Sequence, residues 1–181
     1  MDFKNVVEQR RSIRKYEDKA VPRDIIKEVV RMASFSPSWK NTQIVRYVIV
    51  DDASKKEELA DKAASVYAYN AKTIKNAPGV CVITMESGIS GFEEDGSYTT
   101  SKEDRWEMFD AGIATQTFAL AAFEEGIGTV ILGIFDEEKV KEVLNLPENE
   151  KVAAIVAFGY PAKTPAMPPR KSADELIRFV Q

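Results

Sequence analysis

Residues 106–125 read WEMFDAGIATQTFALAAFEE and run directly into Gly126, Ile127 and Gly128. The run holds no proline and is dominated by helix formers, so it specifies a long helix, with Gly126 as the residue just past its end. Its apolar side chains (Phe109, Ile113, Phe118, Leu120, Ala121, Phe123) lie almost all the way round the helix. Such a helix is wrapped by other elements or shared with a second copy of the chain.

The cover for that helix lies in three short apolar runs bounded by turn residues: 45–51 (VRYVIVD), 79–85 (GVCVITM, after Pro78) and 152–160 (VAAIVAFGY, before Pro161). Continuous β-branched and aromatic runs of this length are the mark of strands buried on both faces. Residues 129–134 form a weaker fourth candidate. Helical patterns separate them. Pro22 suits a first helical turn and is followed by Ile25, Ile26, Val29, Val30, Met32 and Ala33 on one face. Ser54 and Glu57 have capping-box spacing ahead of Leu59, Ala60, Ala63, Ala64 and Tyr67. Asp136 suits the cap of a short helix through Val140 and Leu144. The run MPPRKS (167–172) leads into a last helix over 173–180. Strands interleaved with helices argue for one layered α/β or α+β domain over 1–181. The polar stretch 87–104 (SGISGFEEDGSYTTSKED) reads as a flexible loop, and the region 87–105 is a candidate lid.

Composition removes whole classes of chemistry. The chain has no His and a single Cys, Cys81. That excludes a Ser-His-Asp triad, a Cys-His dyad, His-ligated metals, an intrachain disulfide and a Cys-based zinc cluster. Cys81 falls inside an expected core strand and is expected to be inert. A formal charge of −4 argues against nucleic acid as a partner. The charged start MDFKNVVEQRR and the lack of an apolar run of about 18 residues argue against a membrane segment; the chain is expected to be cytoplasmic. Neither G-x-G-x-x-G after a strand nor a Walker A pattern is present. Ser12 to Lys15 fits S-x-x-K, but the Lys163-Thr164 pair that would complete an acylase set is followed by Pro165 rather than Gly.

Four segments stand out. In Arg10-Arg11-Ser12-Ile13-Arg14-Lys15-Tyr16, an extended backbone puts Arg10, Ser12 and Arg14 on one side, two guanidinium forks and a hydroxyl suited to a phosphate. In 36–43 (SPSWKNTQ), two amides and serines offer many donors and acceptors, suited to the polar edge of a heterocycle. In 126–134, glycines past a buried helix and at the end of a short strand let backbone approach a ligand, with helix capping as the plain explanation of Gly126 and Gly128. Arg170-Lys171 follows a proline-stiffened run.

In this order the motifs resemble the nitroreductase family of FMN-dependent oxidoreductases. They are R-R-S-x-R-x-aromatic, S-P-S-x-x-N-x-Q, a helix carrying Asp110, Gly112 and Ala114, G-x-G-T with a later Gly133, the strand end with Ala154, Gly159, Tyr160 and Pro161, and P-R-K. The resemblance implies an α+β fold, a mixed central sheet flanked by helices, built as an intertwined homodimer with FMN at the interface. It implies that Arg10 and Ser12, beside Arg11 and together with Arg170 or Lys171, hold the FMN phosphate. Arg14 would face the pyrimidine edge of the flavin. Pro37, Ser38, Asn41 and Gln43 would reach it from the other subunit, and Asn70 would supply an amide contact. The Gly133 backbone N–H, next to Leu132, would meet the ring nitrogen that carries hydride. The implied activity is ping-pong transfer from NAD(P)H through flavin to a nitroaromatic, quinone or similar small acceptor, with Phe92, Tyr98 and Trp106 near its pocket. Ile44 stands where many members have proline, and Leu132 where some have an acid, which bears on substrate preference. An FMN-binding module without NAD(P)H turnover is the alternative, and a small anion- or RNA-binding domain is a third.

Overall fold

The computed structural model describes residues 2–180; Met1 and Gln181, the ends of the expected domain, lie outside them. The elements are α1 (Phe3–Gln9), α2 (Arg23–Ala33), a single 3-10 turn (Trp39–Asn41), β1 (Val45–Val50), α3 (Ala53–Lys62), α4 (Ala68–Asn76), β2 (Gly79–Glu86), α5 (Arg105–Glu124), β3 (Gly128–Leu132), α6 (Glu137–Leu144), β4 (Glu150–Gly159) and α7 (Ala173–Leu176).

The strands form one sheet in the order β1-β2-β4-β3, and every ladder in it is antiparallel. The mixed pairing expected of the sheet is thus absent from the named strands; outside them, Ser12 makes an isolated parallel bridge to Thr129 at the β3 edge. Alternation then sorts the side chains by face. Val80 and Val82 of β2, with Ile155 and Ala157 of β4, pack against Leu59, Ala60, Ile74, Val140 and Val143 from α3, α4 and α6. Cys81, Ile83, Val156 and Phe158 face the other way, onto Ile26, Val29, Phe118 and Ala122 from α2 and α5. The result is helix, sheet, helix in three layers. It explains why β2 and β4 read as unbroken apolar runs: both of their faces are covered.

Several local expectations shift. The cap of α3 is Asp52, whose carboxylate accepts from Lys55 N at 2.8 Å, while the Ser54 hydroxyl donates to Asp52 at 2.6 Å instead of capping. Asp52 wins because a side chain immediately ahead of the first turn reaches the free N–H groups. The helix expected to run on to Tyr67 stops at Lys62, and a separate helix, α4, begins at Ala68. Pro22 lies just ahead of α2 rather than in its first turn. The last helix ends at Leu176, not Val180, although Ser172 and Glu175 close a full capping box at its start. Asp136 caps α6 as expected, accepting from Lys139 N at 3.1 Å.

The glycines at the end of α5 divide their work. Gly126 has φ +76 and ends the helix in the left-handed conformation that glycine adopts without penalty. Gly128 is not a cap: a Cβ there would lie 2.5 Å from the Ile13 side chain, so its bareness lets residues 10–16 lie against β3. The stretch expected to be a flexible loop is pinned. Gly88 N donates to Glu107 at 2.6 Å, the Ser90 hydroxyl donates to Asp110 at 2.6 Å, and Phe92 bridges to Tyr98.

Candidate flavin site

Residues 12–17 are tied by backbone bonds to the edge of β3 and to the chain just past β4. Ile13 N donates to Thr129 O at 2.9 Å, Glu17 N to Tyr160 O at 2.9 Å, and Ala162 N to Lys15 O at 3.0 Å. Ile13 is buried beneath, and the Tyr16 hydroxyl sits 2.6 Å from Ile13 O and 3.0 Å from Ala157 O. Burial raises that phenol well above its ordinary range, which keeps it a neutral donor. Ser12 and Arg14 line a cavity of about 190 Å³ with Lys15, Tyr69, Lys163 and Pro165, whereas Arg10, expected on the same side, is not among its lining residues.

Arg10 is half-buried and has no carboxylate or other acceptor for its guanidinium among the described residues. Burial lowers its pKa, and the like charges of Arg11 and Arg170 lower it further. The C-terminal P-R-K motif is therefore folded back to within electrostatic reach of the N-terminal one. Arg11 points elsewhere: its guanidinium donates to Glu8 O at 2.6 Å and Arg10 O at 2.8 Å. Among the described residues Arg14 bonds only the Ser12 carbonyl, at 3.3 Å, and Arg170 only the Pro169 carbonyl, at 3.5 Å. Elsewhere the surface is stitched by ion pairs: Arg23 to Asp51, Arg31 to Glu28, Arg46 to Glu86 and Lys75 to Asp61. Arg10 and Arg170, neighbouring cations that no acid among the described residues neutralises, are suited to an anion.

The end of β3 joins this region. Leu132 is buried, whereas Gly133 is exposed and a side chain there would meet nothing within 4 Å. Asn70, buried at the start of α4 next to Tyr69, donates to Ile134 O at 3.0 Å. Asn70 thus holds the backbone just past Gly133. Lys15, Tyr69 and Lys163 line the cavity without having been expected from the sequence. Lys163 has a readable signal, a cation in the same C-terminal stretch as Arg170, while Tyr69 belongs to a helix with too weak a pattern to be read.

The second set of candidates lies elsewhere in the chain. Pro37, Ser38 and Gln43 line a cavity of about 250 Å³ with Arg46, Tyr47, Asp110 and Ala114, and it shares no lining residue with the Ser12–Arg14 cavity. Asn41 is exposed on the same turn. Lys40, Asn41 and Gln43 all have left-handed backbone, at φ 44, 59 and 51. Of the three aromatics near the candidate lid, Phe92 lines a broad 740 Å³ cleft with Trp39, Lys40 and Thr42, and Tyr98 packs on Phe92 at 5.0 Å. Trp106 instead stacks against Trp39 at 4.8 Å and donates to Thr100 at 3.0 Å, under the turn. Lys171 is exposed beside Arg170. Cys81 is fully buried and its thiol is pushed up by burial, so it is no nucleophile. No group of acids and cysteines among the described residues is arranged to hold a metal ion.

Residues 7–160 match the model described as Nitroreductase family. The chain belongs to the nitroreductase family. A nitroreductase family protein from Clostridium novyi NT, solved as a crystal structure, is 31% identical, with a TM-score of 0.76 over 89% of this chain and 86% of that one. The NADH dehydrogenase of Thermus thermophilus is 27% identical over 90% of this chain and 88% of its own length. The NADPH-flavin oxidoreductase of Vibrio harveyi is 26% identical over 92% of this chain and 69% of its own length. The expected α+β nitroreductase fold is the one the chain adopts.

Proposed function

We propose that this oxidoreductase of the nitroreductase family binds FMN and uses NAD(P)H to reduce nitroaromatic, quinone or similar acceptors by a ping-pong cycle, as a cytoplasmic homodimer whose single domain carries one half of each site. The observation that carries the reading is Arg10, a half-buried cation with no acid partner among the described residues, within electrostatic reach of the exposed Arg170. A bound flavin would supply the hydride-transfer chemistry between nicotinamide and acceptor. The chain's own residues bind and orient. Arg10, Ser12 and Arg170 or Lys171 would hold the phosphate, with Arg11 fixing the end of α1 beside them. Arg14 would place a permanent positive charge at the pyrimidine edge, which a residue able to lose its proton does less well. Gly133 would offer a backbone N–H and leave the ring face uncovered, and Asn70 would hold that backbone while presenting its own amide. No general acid is demanded of the protein, in keeping with a chain that has no His.

What one chain leaves open supports the dimer. Pro37, Ser38, Asn41 and Gln43 sit apart from the Arg10–Arg14 segment, as side chains meant for a partner's site would. Phe3, Phe35, Met108 and Phe109 are more than half exposed on α1, just past the end of α2, and on α5. Residues 162–180 are exposed throughout, with Phe179 at 87%. Exposed apolar side chains of this size suit a protein contact. Among the described residues no helix is long and apolar enough to cross a membrane.

An absorption spectrum tests the reading. The purified protein should show the oxidised flavin bands, lose them under anaerobic NADH or NADPH, and regain them with a nitroaromatic or quinone. A colourless protein that ignores added FMN contradicts flavin binding, and a bound flavin that neither nicotinamide bleaches contradicts the NAD(P)H half.

A further inference from the structure

The turn that carries Ser38, Asn41 and Gln43 is built against conformational preference. Three non-glycine residues within four positions in the left-handed region persist only where surrounding structure over-determines them. Within the turn, Thr42 N donates to Trp39 O at 2.8 Å and Gln43 N to the Ser38 hydroxyl at 3.0 Å. From outside, Arg46 donates to Gln43 O at 2.8 Å and Lys40 lies 3.6 Å from Glu93, both exposed pairs. The buried anchor is Asp110 of α5. It is 2% exposed and forms no salt bridge among the described residues. Both of its oxygens lie 3.1 Å from Trp39 N, and one also accepts from the Ser90 hydroxyl, which in turn meets the Thr42 hydroxyl at 2.8 Å. Thus one carboxylate ties down both ends of the curl: Trp39 directly and Thr42 through Ser90. The Trp39 indole nitrogen is itself buried without a hydrogen-bond partner, so packing, not a side-chain bond, seats the ring.

We propose that Asp110 is a positioning residue for the flavin turn: it holds residues 38–43 in the shape that presents Ser38, Asn41 and Gln43, and links that turn through Ser90 to the 87–104 segment. The proposal rests on the FMN reading above, but its geometric half does not need flavin to be tested. Glu107 is the internal control. It sits one turn earlier on the same face of α5, is equally buried, and accepts from Gly88 N and Lys151 without touching the turn.

The chain's two tryptophans are Trp39 and Trp106, with ring centroids 4.8 Å apart. Their exciton coupling in far-ultraviolet circular dichroism therefore reports the placement of the turn in the apoprotein. In Asp110→Ala the exciton signal should be lost and FMN affinity, measured by titration of the full chain, should fall by about ten-fold or more, the scale for hydrogen bonds to a charged group. Asp110→Asn, which keeps one carbonyl oxygen for Trp39 N–H, should restore most of both. Glu107→Gln should leave both unchanged even if it lowers the melting temperature. Retention of signal and affinity in Asp110→Ala, or an equal loss in Glu107→Gln, overturns the proposal. If Asp110→Ala does not fold, Ser90→Ala carries the test: a smaller loss in both readouts is expected, and no loss in either overturns it. A wild-type protein that binds no FMN, yet whose exciton signal depends on Asp110, refutes the FMN reading and leaves the positioning intact.

Discussion

Residues 10–14 and residues 38–43 are both offered to the same ligand in the proposed site, and they are built in opposite ways. The first segment is extended, bonded by its backbone to the edge of β3, with the charged heads of Arg10 and Arg14 free of any acid among the described residues. The second is tightly curled, in left-handed backbone at three positions, and held from beneath by a buried carboxylate. One supplies charge on a rigid rail, and the other supplies shape at the cost of local strain. Each is therefore vulnerable at a different place. Charge on a rail is lost by removing a single side chain, without harm to the fold. A curled turn is lost by removing its anchor, a residue that never meets the ligand.

The rail itself should give the largest effect. In Gly128→Ala the new methyl would sit 2.5 Å from Ile13, so the segment must lift or the core must shift. Overpacking of this kind costs about 1–3 kcal/mol, and thermal unfolding should show it together with weakened FMN binding. Unchanged stability would mean that residues 10–16 are not seated against β3. Next comes Arg10→Ala, which should weaken FMN binding by about 1–3 kcal/mol in titration. The apoprotein should keep its melting temperature or gain slightly, because a half-buried cation repelled by Arg11 and Arg170 has been removed. A drop in apoprotein stability with unaltered FMN affinity would make Arg10 a structural residue. The smallest effect belongs to the ion-paired part of the surface. Lys55 and Lys62 hold the Glu58 carboxyl down at about 2. A depressed folded value means a contribution that is present above the ordinary carboxyl range and lost as pH falls through about 2. The melting-temperature difference between wild type and Glu58→Gln should therefore be small at neutral pH and vanish in strong acid, with FMN affinity untouched. A loss of FMN affinity in that variant would erase the distinction between paired and unpaired cations.

The three apolar strands and α5 are legible in the sequence because their signals are local, apolar runs between turn residues and a helix apolar on most sides, although β1, read as buried, is a half-exposed edge strand. Ser12 and Arg14 are legible for the same reason, since alternation in an extended segment is a property of neighbours. Helix α4 is not, because its exposed Tyr69 and Lys72 and its buried Asn70 and Thr73 give no clean apolar stripe. The Asp52 cap is hidden by a competing Ser54–Glu57 pattern two residues on. Asp110 is visible only as part of a motif. Its partners Trp39 and Ser90 are distant in sequence, with β1 and β2 between them, and no spacing rule connects them. The polar stretch 87–104 reads as free loop because its anchors, Glu107 and Asp110, lie outside it on the following helix.

If unpaired guanidinium groups at Arg10 and Arg170 recognise the phosphate of FMN, the two flavins that differ only by that phosphate must be told apart by them. The decisive measurement is the ratio of dissociation constants for riboflavin and FMN, obtained by titrating wild type and Arg10→Ala in parallel. Wild type should strongly prefer FMN, and Arg10→Ala should erode that preference while leaving riboflavin affinity nearly unchanged. Equal wild-type affinity for the two flavins, or a preference that survives the loss of Arg10, would show that these cations do not read the phosphate.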